Sequence, residues 1–190
     1  MFARTLFGPL LVCAALASGC ASILSATSDE PIEDNENSRS FGSMIDDQLI
    51  ETKAYHNLNK ASPGLDKANL VVVSYNGVVL LAGQVASEEL RQLAAKTVAD
   101  INRVQRVHNE LSITGKTSML ARTNDAWITT KVKTQLIASN AVDSSHIKTV
   151  TENGIVYLMG LVGQAEADAA AEIARGVAGV QKVVKIFEQP

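Results

Sequence analysis

The sequence predicts an α+β protein of two tandem α-β-β-α-β domains, each a small mixed sheet with two helices on one face. The first observation behind this prediction is an internal repeat: the segment that starts at Leu70 recurs 77 positions later, from Ile147. The second is a run of apolar residues at helical spacing before each copy, and the third is a further helix and strand pattern after it. A duplicated small module favours a scaffold or binding protein over an enzyme with a single site.

The amino terminus is typical of a processing signal and is excluded from the fold. Residues 1–19 carry one positive charge, Arg4, and an apolar run over residues 6–16 that is too short to cross a bilayer. Residues 16–20, Leu-Ala-Ser-Gly-Cys, resemble a bacterial lipobox with alanine where leucine is usual. We therefore expect Cys20 to carry a diacylglycerol group and an N-acyl chain such as palmitate, with no other cofactor. The alternative is an ordinary secretory signal that leaves Cys20 as an unpaired thiol.

Acylation of Cys20 predicts a location as well as an anchor. Two or more acyl chains hold a protein stably on a membrane, whereas one chain does not. Ala21 follows the cysteine, and in lipoproteins of the kind this signal resembles, the lack of aspartate there favours the outer membrane. We expect the mature chain on the periplasmic face of the cell outer membrane. Cys13 leaves with the signal, so the mature chain contains no disulfide.

The composition limits the classes of partner. The formal net charge is −3, which gives the whole chain no attraction to nucleic acid or to anionic lipid. Basic residues interleaved with aromatic ones are also missing, so no nucleic-acid partner is expected. Binding to an anionic surface would need a local basic patch.

The chain divides into five segments by composition and repeat. After the signal come a lipidated N-terminus and polar tether, a first domain, a linker and a second domain, and the two domains of ~70 residues are small but foldable. The segments are 1–19, 20–43, 44–113, 114–123 and 124–190.

Each domain is expected to begin with an amphipathic helix. Asp47 is predicted to cap the first and Asp125 the second, since aspartate is a preferred N-cap residue. The inward residues repeat at i, i+4 and i+8 with a constant offset of 78 between the domains. They are Ile50, Ala54 and Leu58 in the first domain, and Ile128, Val132 and Leu136 in the second.

A β-hairpin follows each of these helices. Asn76-Gly77 and Asn153-Gly154 stand between two apolar runs, and Asn-Gly tolerates the positive φ angles of a type I′ turn. Gly83 and Gly160 lie late in the second strand of each hairpin. There we expect a bulge or a close contact with a helix.

A second helix and a last strand complete each unit. Ser87 with two glutamates predicts the start of one helix, and residues 166–174 form the other. The strand–helix–strand connection should be a right-handed crossover, which gives a mixed sheet. The helix stripe of the first copy is Leu90, Leu93, Ala94, Thr97 and Val98, and the last strands alternate as Val104, Val107, Leu111 and Val180, Val183, Ile186.

This pattern resembles the BON domain. The resemblance is carried by Asn-Gly-x-Val-x-Leu-x-Gly across each hairpin and by the closing Gly-Val-x-x-Val of residues 179–183, although Arg103 replaces the closing glycine in the first copy. Two such units behind a lipobox resemble outer-membrane lipoproteins with two BON domains. The resemblance implies a non-enzymatic protein that supports envelope integrity, with anionic phospholipid bound by the second domain. It also implies association with cell-division sites or with the machinery that assembles outer-membrane β-barrels.

Trp127 is the candidate centre of a lipid-binding surface. It is the single tryptophan, it lies off the inward stripe of its helix, and Lys131 and Thr134 share its face. Tryptophan suits the membrane interface, and a nearby lysine adds ~1 kcal/mol at an anionic surface. Lys133 and Ile137 could widen the patch.

The same residues allow another interpretation. Trp127 could instead cover the contact between the two domains, with the lysines forming a solvated face. Its equivalent in the first domain is Leu49, so we expect that domain to bind lipid weakly or not at all. The rival function is a periplasmic protein-interaction adaptor that uses the hairpin edges and Trp127.

Catalysis has little support in the sequence. His56, His108 and His146 occupy unequal places in the two repeats and lack metal-ligand spacing. A nucleophile elbow and a phosphate-binding loop are also missing. We therefore expect neither an enzyme nor a metal site.

Overall fold

The computed structural model describes residues 40–114 and 119–189, and the predicted signal, Cys20 and most of the tether lie outside them. The first domain has the predicted order of elements, with an added one-turn helix after the first helix. Its elements are α1 (Phe41–Ala61), α2 (Pro63–Asp66), β1 (Asn69–Tyr75), β2 (Val78–Val85), α3 (Glu88–Ala99) and β3 (Arg106–Ile113).

The second domain repeats this order, with a 3₁₀ turn in place of α2. Its elements are α4 (Met119–Ala138), the 3₁₀ turn (Ser144–His146), β4 (Ile147–Glu152), β5 (Ile155–Leu161), α5 (Gln164–Arg175) and β6 (Lys182–Glu188). Within the described residues, no helix is both long enough and apolar enough to cross a membrane.

Each domain contains a mixed three-stranded sheet whose central strand is the second strand of the hairpin. In the first domain β1 pairs antiparallel with β2, and β2 pairs parallel with β3; Leu81 lies opposite Val72 on one side and Asn109 on the other. In the second domain β5 takes the central place between β4 and β6. The mixed sheet predicted from the repeat is therefore confirmed.

Both helices of a domain cover the same face of its sheet, as predicted. The inward residues predicted on α1 and α4 are all buried, and each set packs in a core with its own sheet and its second helix. In the first domain the second helix contributes Ala94 and Val98, and the central strand contributes Val79 and Leu81.

One prediction about the last strand was wrong. Val183 packs beneath the helices of the second domain, whereas Ile186 belongs to the cluster on the other face of the sheet. Because side chains alternate along a strand, residues three apart cannot share a face. Phe187, the equivalent of Leu111, takes the helix-facing position instead.

The first helices begin earlier than predicted, and their aspartates are not caps. Ser40 caps α1 by accepting the Ser43 N–H at 3.1 Å, and α1 begins at Phe41, inside the predicted tether. The second helix, α4, begins at Met119, inside the predicted linker. Asp47 and Asp125 therefore lie within the helices. Aspartate is a good cap residue, but here the carboxylates are required by the hairpin turns.

The two sheets pack face to face, which the sequence did not predict. All eight residues of β2 are buried, because its odd-numbered side chains face the helices and its even-numbered ones face the second domain. The layers therefore run helices, sheet, sheet, helices, and the helices of the two domains lie on opposite outer sides. The shared central cluster consists of Tyr75, Val78, Leu80, Ala82, Tyr157, Met159 and Ile186.

Polar contacts at the rim of this interface join the domains further. The carboxylate of Glu152, almost fully buried, accepts hydrogen bonds from Gln84 Nε2 at 2.8 Å and Asn69 Nδ2 at 3.1 Å. Lys148 Nζ donates to Glu51 Oε1 at 3.0 Å. These side chains come from both domains, so the contact is fixed by directional bonds as well as by apolar area.

Candidate functional site

The position of α4 is set by a buried carboxylate that binds the hairpin turn. Asp125 accepts the backbone N–H of Asn153 and of Gly154, both at 2.8 Å. Asn153 and Gly154 have φ angles of 51° and 75°, as the predicted type I′ turn requires. Because Trp127 follows Asp125 by two residues, this contact places the tryptophan at the edge of the domain.

The first domain contains the same device. Asp47 accepts the N–H of Asn76 at 2.8 Å and of Gly77 at 3.0 Å, and Asn76 and Gly77 have φ angles of 51° and 77°. Asp47 also accepts the hydroxyl of Ser74 at 2.7 Å. Both hairpin turns predicted from Asn-Gly are therefore confirmed, and each is tied to the first helix of its domain.

The two late-strand glycines serve close backbone approach. A Cβ on Gly83 would collide with the carbonyl of Asn69, and one on Gly160 would collide with the carbonyl of His146. Gly83 pairs with Leu70 and Gly160 pairs with Ile147 in a register without an inserted residue, and the Gly160 pair is the last between β4 and β5. The predicted bulge or helix contact was therefore wrong: the close neighbour is the adjacent strand.

Trp127 and Lys131 form one exposed unit on α4. Trp127 is 46% exposed while the next residue, Ile128, is fully buried. Lys131 Nζ lies 4.0 Å from the centroid of the indole ring, which is the geometry of a cation–π contact. The structure therefore brings these two predicted site residues together.

The alternative role of Trp127, at the contact between the domains, is not what the structure contains. That contact is made by the two sheets, and Trp127 lies on a helix of the outer layer. The indole is therefore directed to the surroundings of the protein.

The other predicted site residues lie further along α4. Thr134 is exposed, and its hydroxyl donates to the Thr130 carbonyl at 2.9 Å, one turn earlier. Lys133 is exposed as well, and Ile137 is 72% exposed. Lys133 and Ile137 border a depression of about 190 Å³ with Leu136 and Ser144, at some distance along the helix from the tryptophan.

A larger depression next to Ile137 was missed by the sequence analysis. Its volume is about 790 Å³, and it is formed by the loop over residues 139–144 together with Glu166 and Ala169 of α5. Glu166 holds the loop by accepting the Asp143 N–H at 2.7 Å. The run of Ser and Asn after α4 was the sequence feature that indicated a loop at this place. It could not indicate a depression, since the wall on α5 comes from a distant part of the chain.

The outward surface of α4 is basic. Its single acidic residue, Asp125, is buried and bound to the hairpin turn, whereas Arg122, Lys131 and Lys133 are all exposed. The helix thus combines exposed apolar side chains with positive charges that form no ion pair within the described part of the chain. This combination is typical of helices that bind anionic membrane surfaces.

The three histidines do not form a site. His56 lies on α1, His108 on β3, and His146 ends the 3₁₀ turn, 3.7 Å from Asp143. Burial, together with the neighbouring Arg106, lowers the pKa of His108. Within residues 40–114 and 119–189, no group of three or more His, Cys, Asp or Glu side chains could hold a metal ion.

Comparison with known families supports the architecture. The model of the BON domain matches residues 46–115 and 124–188, one match for each domain of the structure. This chain belongs to the BON-domain family. The family thus accounts for both halves of the described fold.

Three relatives cover most of this BON-domain chain. The outer membrane lipoprotein DolP of Haemophilus influenzae is 34% identical over 93% of this chain and 88% of its own length. The 21 kDa hemolysin of Actinobacillus pleuropneumoniae is 39% identical over 78% of this chain and 77% of its own. Osmotically-inducible protein Y of Escherichia coli is 30% identical over 75% of this chain and 72% of its own length.

Proposed function

We propose that this BON protein is a non-enzymatic outer-membrane lipoprotein, anchored through Cys20 on the periplasmic face, that maintains envelope integrity. Its second domain would bind anionic phospholipid through α4. The observation that carries the proposal is the exposed Trp127 with Lys131 Nζ 4.0 Å above its ring. The similarity to an outer membrane lipoprotein supports the location.

The physical basis is that apolar and basic side chains of α4 would contact different layers of the membrane. The indole would enter the interface between headgroups and acyl chains, where tryptophan is favoured because one edge stays hydrated. Lys131 would then lie at the level of the lipid phosphates and would contribute ~1 kcal/mol at an anionic surface. Lys133 and the exposed Ile137 would extend the contact towards the end of the helix. Since Asp125 is buried, no carboxylate of α4 opposes this approach.

The second candidate function is a protein-interaction adaptor for the outer-membrane assembly or division machinery. The observation that favours it is the apolar surface of α1, where Phe41 and Leu49 are 78% and 49% exposed. In that case the acyl anchor alone would hold the protein at the membrane.

Binding to vesicles tests the lipid proposal. A soluble form starting at residue 21 is titrated with neutral vesicles and with vesicles that contain phosphatidylglycerol, and the fluorescence of Trp127 is followed. We expect a blue shift with anionic vesicles only, weakened by salt because screening reduces the contribution of the lysines. An unshifted emission at all lipid concentrations would contradict the proposal.

Two variants and a matched control locate the contact. Trp127→Glu, measured by co-sedimentation because the variant lacks tryptophan, should lower vesicle affinity at least tenfold. Lys131→Glu should lower it about fivefold or more, since it removes one favourable charge and adds an unfavourable one. Leu49→Glu, at the equivalent place in the first domain, should leave vesicle binding unchanged. Equal losses in all three would mean that α4 is not the contact.

A further inference from the structure

The first helix, α1, is apolar on both sides. Its inner side is buried, with Ile50, Ala54 and Leu58 at most 2% exposed. A helix that covers one face of a sheet normally has a polar outer side. Here the outer side carries an unusual share of apolar side chains, since five of the eight large hydrophobic side chains exposed in the described residues lie on α1. They are Phe41, Met44, Ile45, Leu49 and Tyr55.

The outer side of α1 also lacks charge along most of its length. Six residues spaced alternately by four and three form a line down the helix, and the line contains no Asp, Glu, Lys or Arg. This spacing is that of the contact seam between two long helices. The residues are Phe41, Ile45, Gln48, Thr52, Tyr55 and Asn59, and all of them are exposed.

The charges of α1 are placed elsewhere. Asp47 is buried against the hairpin turn, Glu51 binds Lys148 of the second domain, and Asp46 pairs with Arg103. Lys53 and Lys60 are exposed in the second half of the helix, and neither lies on the seam. The three carboxylates of α1 therefore already have partners within the protein.

A lipid surface does not fit this seam. The first twelve residues of α1 contain three carboxylates and no Lys or Arg; of the basic side chains beside Leu49, Arg103 is paired with Asp46, which leaves Lys53 to attract anionic headgroups. The helix also lies in the outer layer opposite α4. When α4 faces a bilayer, as in the function proposed above, α1 faces away from it and towards other molecules.

We propose that the outer side of α1 binds the same surface of a second copy of this chain. An uncharged seam with apolar side chains on it and beside it carries no charge that would repel its own copy, as a two-fold symmetric contact requires. The predicted tether, residues 20–43, ends within the first turn of α1, which begins at Phe41. Two copies anchored in one membrane through Cys20 would thus be confined to the surface of that membrane.

The size of the seam sets the strength of the contact. A stable interface buries about 800 Å² on each partner. The exposed parts of the five apolar side chains on the outer side of α1 supply less than this. We therefore expect a reversible dimer that is favoured by shared anchoring, because anchoring raises the effective concentration of one copy around another.

Disulfide cross-linking of the full-length protein in its own membrane tests the dimer. Gln48→Cys places a thiol at the middle of the seam, where the two-fold axis would bring it close to its equivalent. Mild oxidation should give a product of twice the monomer mass. The matched control, Gln92→Cys on the exposed side of α3, and the unsubstituted protein should give none. Monomer only, or adducts only with other proteins, would overturn the proposal.

A second variant tests whether the apolar residues hold the contact. Ile45→Glu with Leu49→Glu, added to Gln48→Cys, should reduce the cross-linked product at least tenfold without lowering the melting temperature, since both side chains are on the surface. Undiminished cross-linking would overturn the proposal. Trp127→Glu should leave the product unchanged, so a failure of lipid binding and a failure of dimer formation are distinguishable.

Discussion

The helices α1 and α4 occupy equivalent places in two copies of one domain, yet they share only their inner sides. Asp47 and Asp125 bind the hairpin turn in the same way, and the apolar residues that follow are buried to the same extent. On the outer side, Leu49 stands where the second domain has Trp127. Duplication has therefore kept what holds a domain together, while the surfaces have diverged, because packing does not constrain an exposed position.

The difference extends to how each helix uses its polar groups. In the first domain Glu51 accepts the Ser74 N–H at 2.8 Å, and the Tyr55 hydroxyl accepts the Val72 N–H at 3.1 Å. Both contacts cover the outer edge of β1. In the second domain the equivalent of Tyr55 is Lys133, which is exposed. These polar groups of α1 thus form hydrogen bonds within the first domain and, through Glu51, with the second domain. The basic groups of α4 face outward instead.

Removal of the shared carboxylates should have the largest effect. We expect Asp47→Ala and Asp125→Ala each to lower the free energy of unfolding by about 2–4 kcal/mol, because buried backbone donors lose a charged acceptor. Urea unfolding of the whole protein measures both. Asp100→Ala, at an exposed position after α3, serves as the control and should change little. A clear loss in one domain and none in the other would show that the two turns are not held equivalently.

The facing positions of the central strands give a smaller, pH-dependent effect. Leu80 and Tyr157 are equivalent and both lie in the inter-domain cluster. Burial, aided by Glu110 and Glu152, raises the pKa of Tyr157 from 10.0 to about 12. The folded state thus favours the neutral phenol, and this contribution to stability is present below pH 10 and is lost as the pH rises towards 12.

Ultraviolet absorbance against pH measures this titration. Tyr157 should ionise near pH 12, and the free energy of unfolding should fall between pH 10 and pH 12. Tyr157→Phe should remove the late step and flatten the fall. If the variant kept the late step, the shifted group would be another tyrosine.

Transfer of the tryptophan to the first domain should have the smallest effect. Leu49→Trp in a Trp127→Leu background leaves one indole, now on α1. We expect vesicle affinity within about twofold of that of Trp127→Leu alone and no blue shift, because α1 has Lys53 in place of Lys131 but Met44 and Tyr55 in place of Arg122 and Lys133. A restored affinity would mean that an indole with a lysine one turn after it accounts for lipid binding and that Arg122 and Lys133 are dispensable.

Much of each domain could be predicted from local sequence. Asn-Gly between apolar runs predicted the hairpins because few other residues tolerate positive φ angles in succession. Helical spacing predicted which side of α1 and α4 is buried. The starts of these helices were wrong because Asp47 and Asp125 look like caps, and only the folded hairpin shows that each carboxylate binds a turn about thirty residues away in sequence.

The sequence by itself determined the repeated α-β-β-α-β order, the turns, the inner helix sides and the position of the single tryptophan, since all of these depend on near neighbours in the chain. The tertiary structure decided that the sheets face each other, that Glu152 bridges to Gln84, and that Trp127 stays outside this contact. The physical reason is that β2 alternates apolar side chains on both faces. Both faces of such a strand must be buried, and the sequence does not show which part of the protein packs on the face opposite the helices.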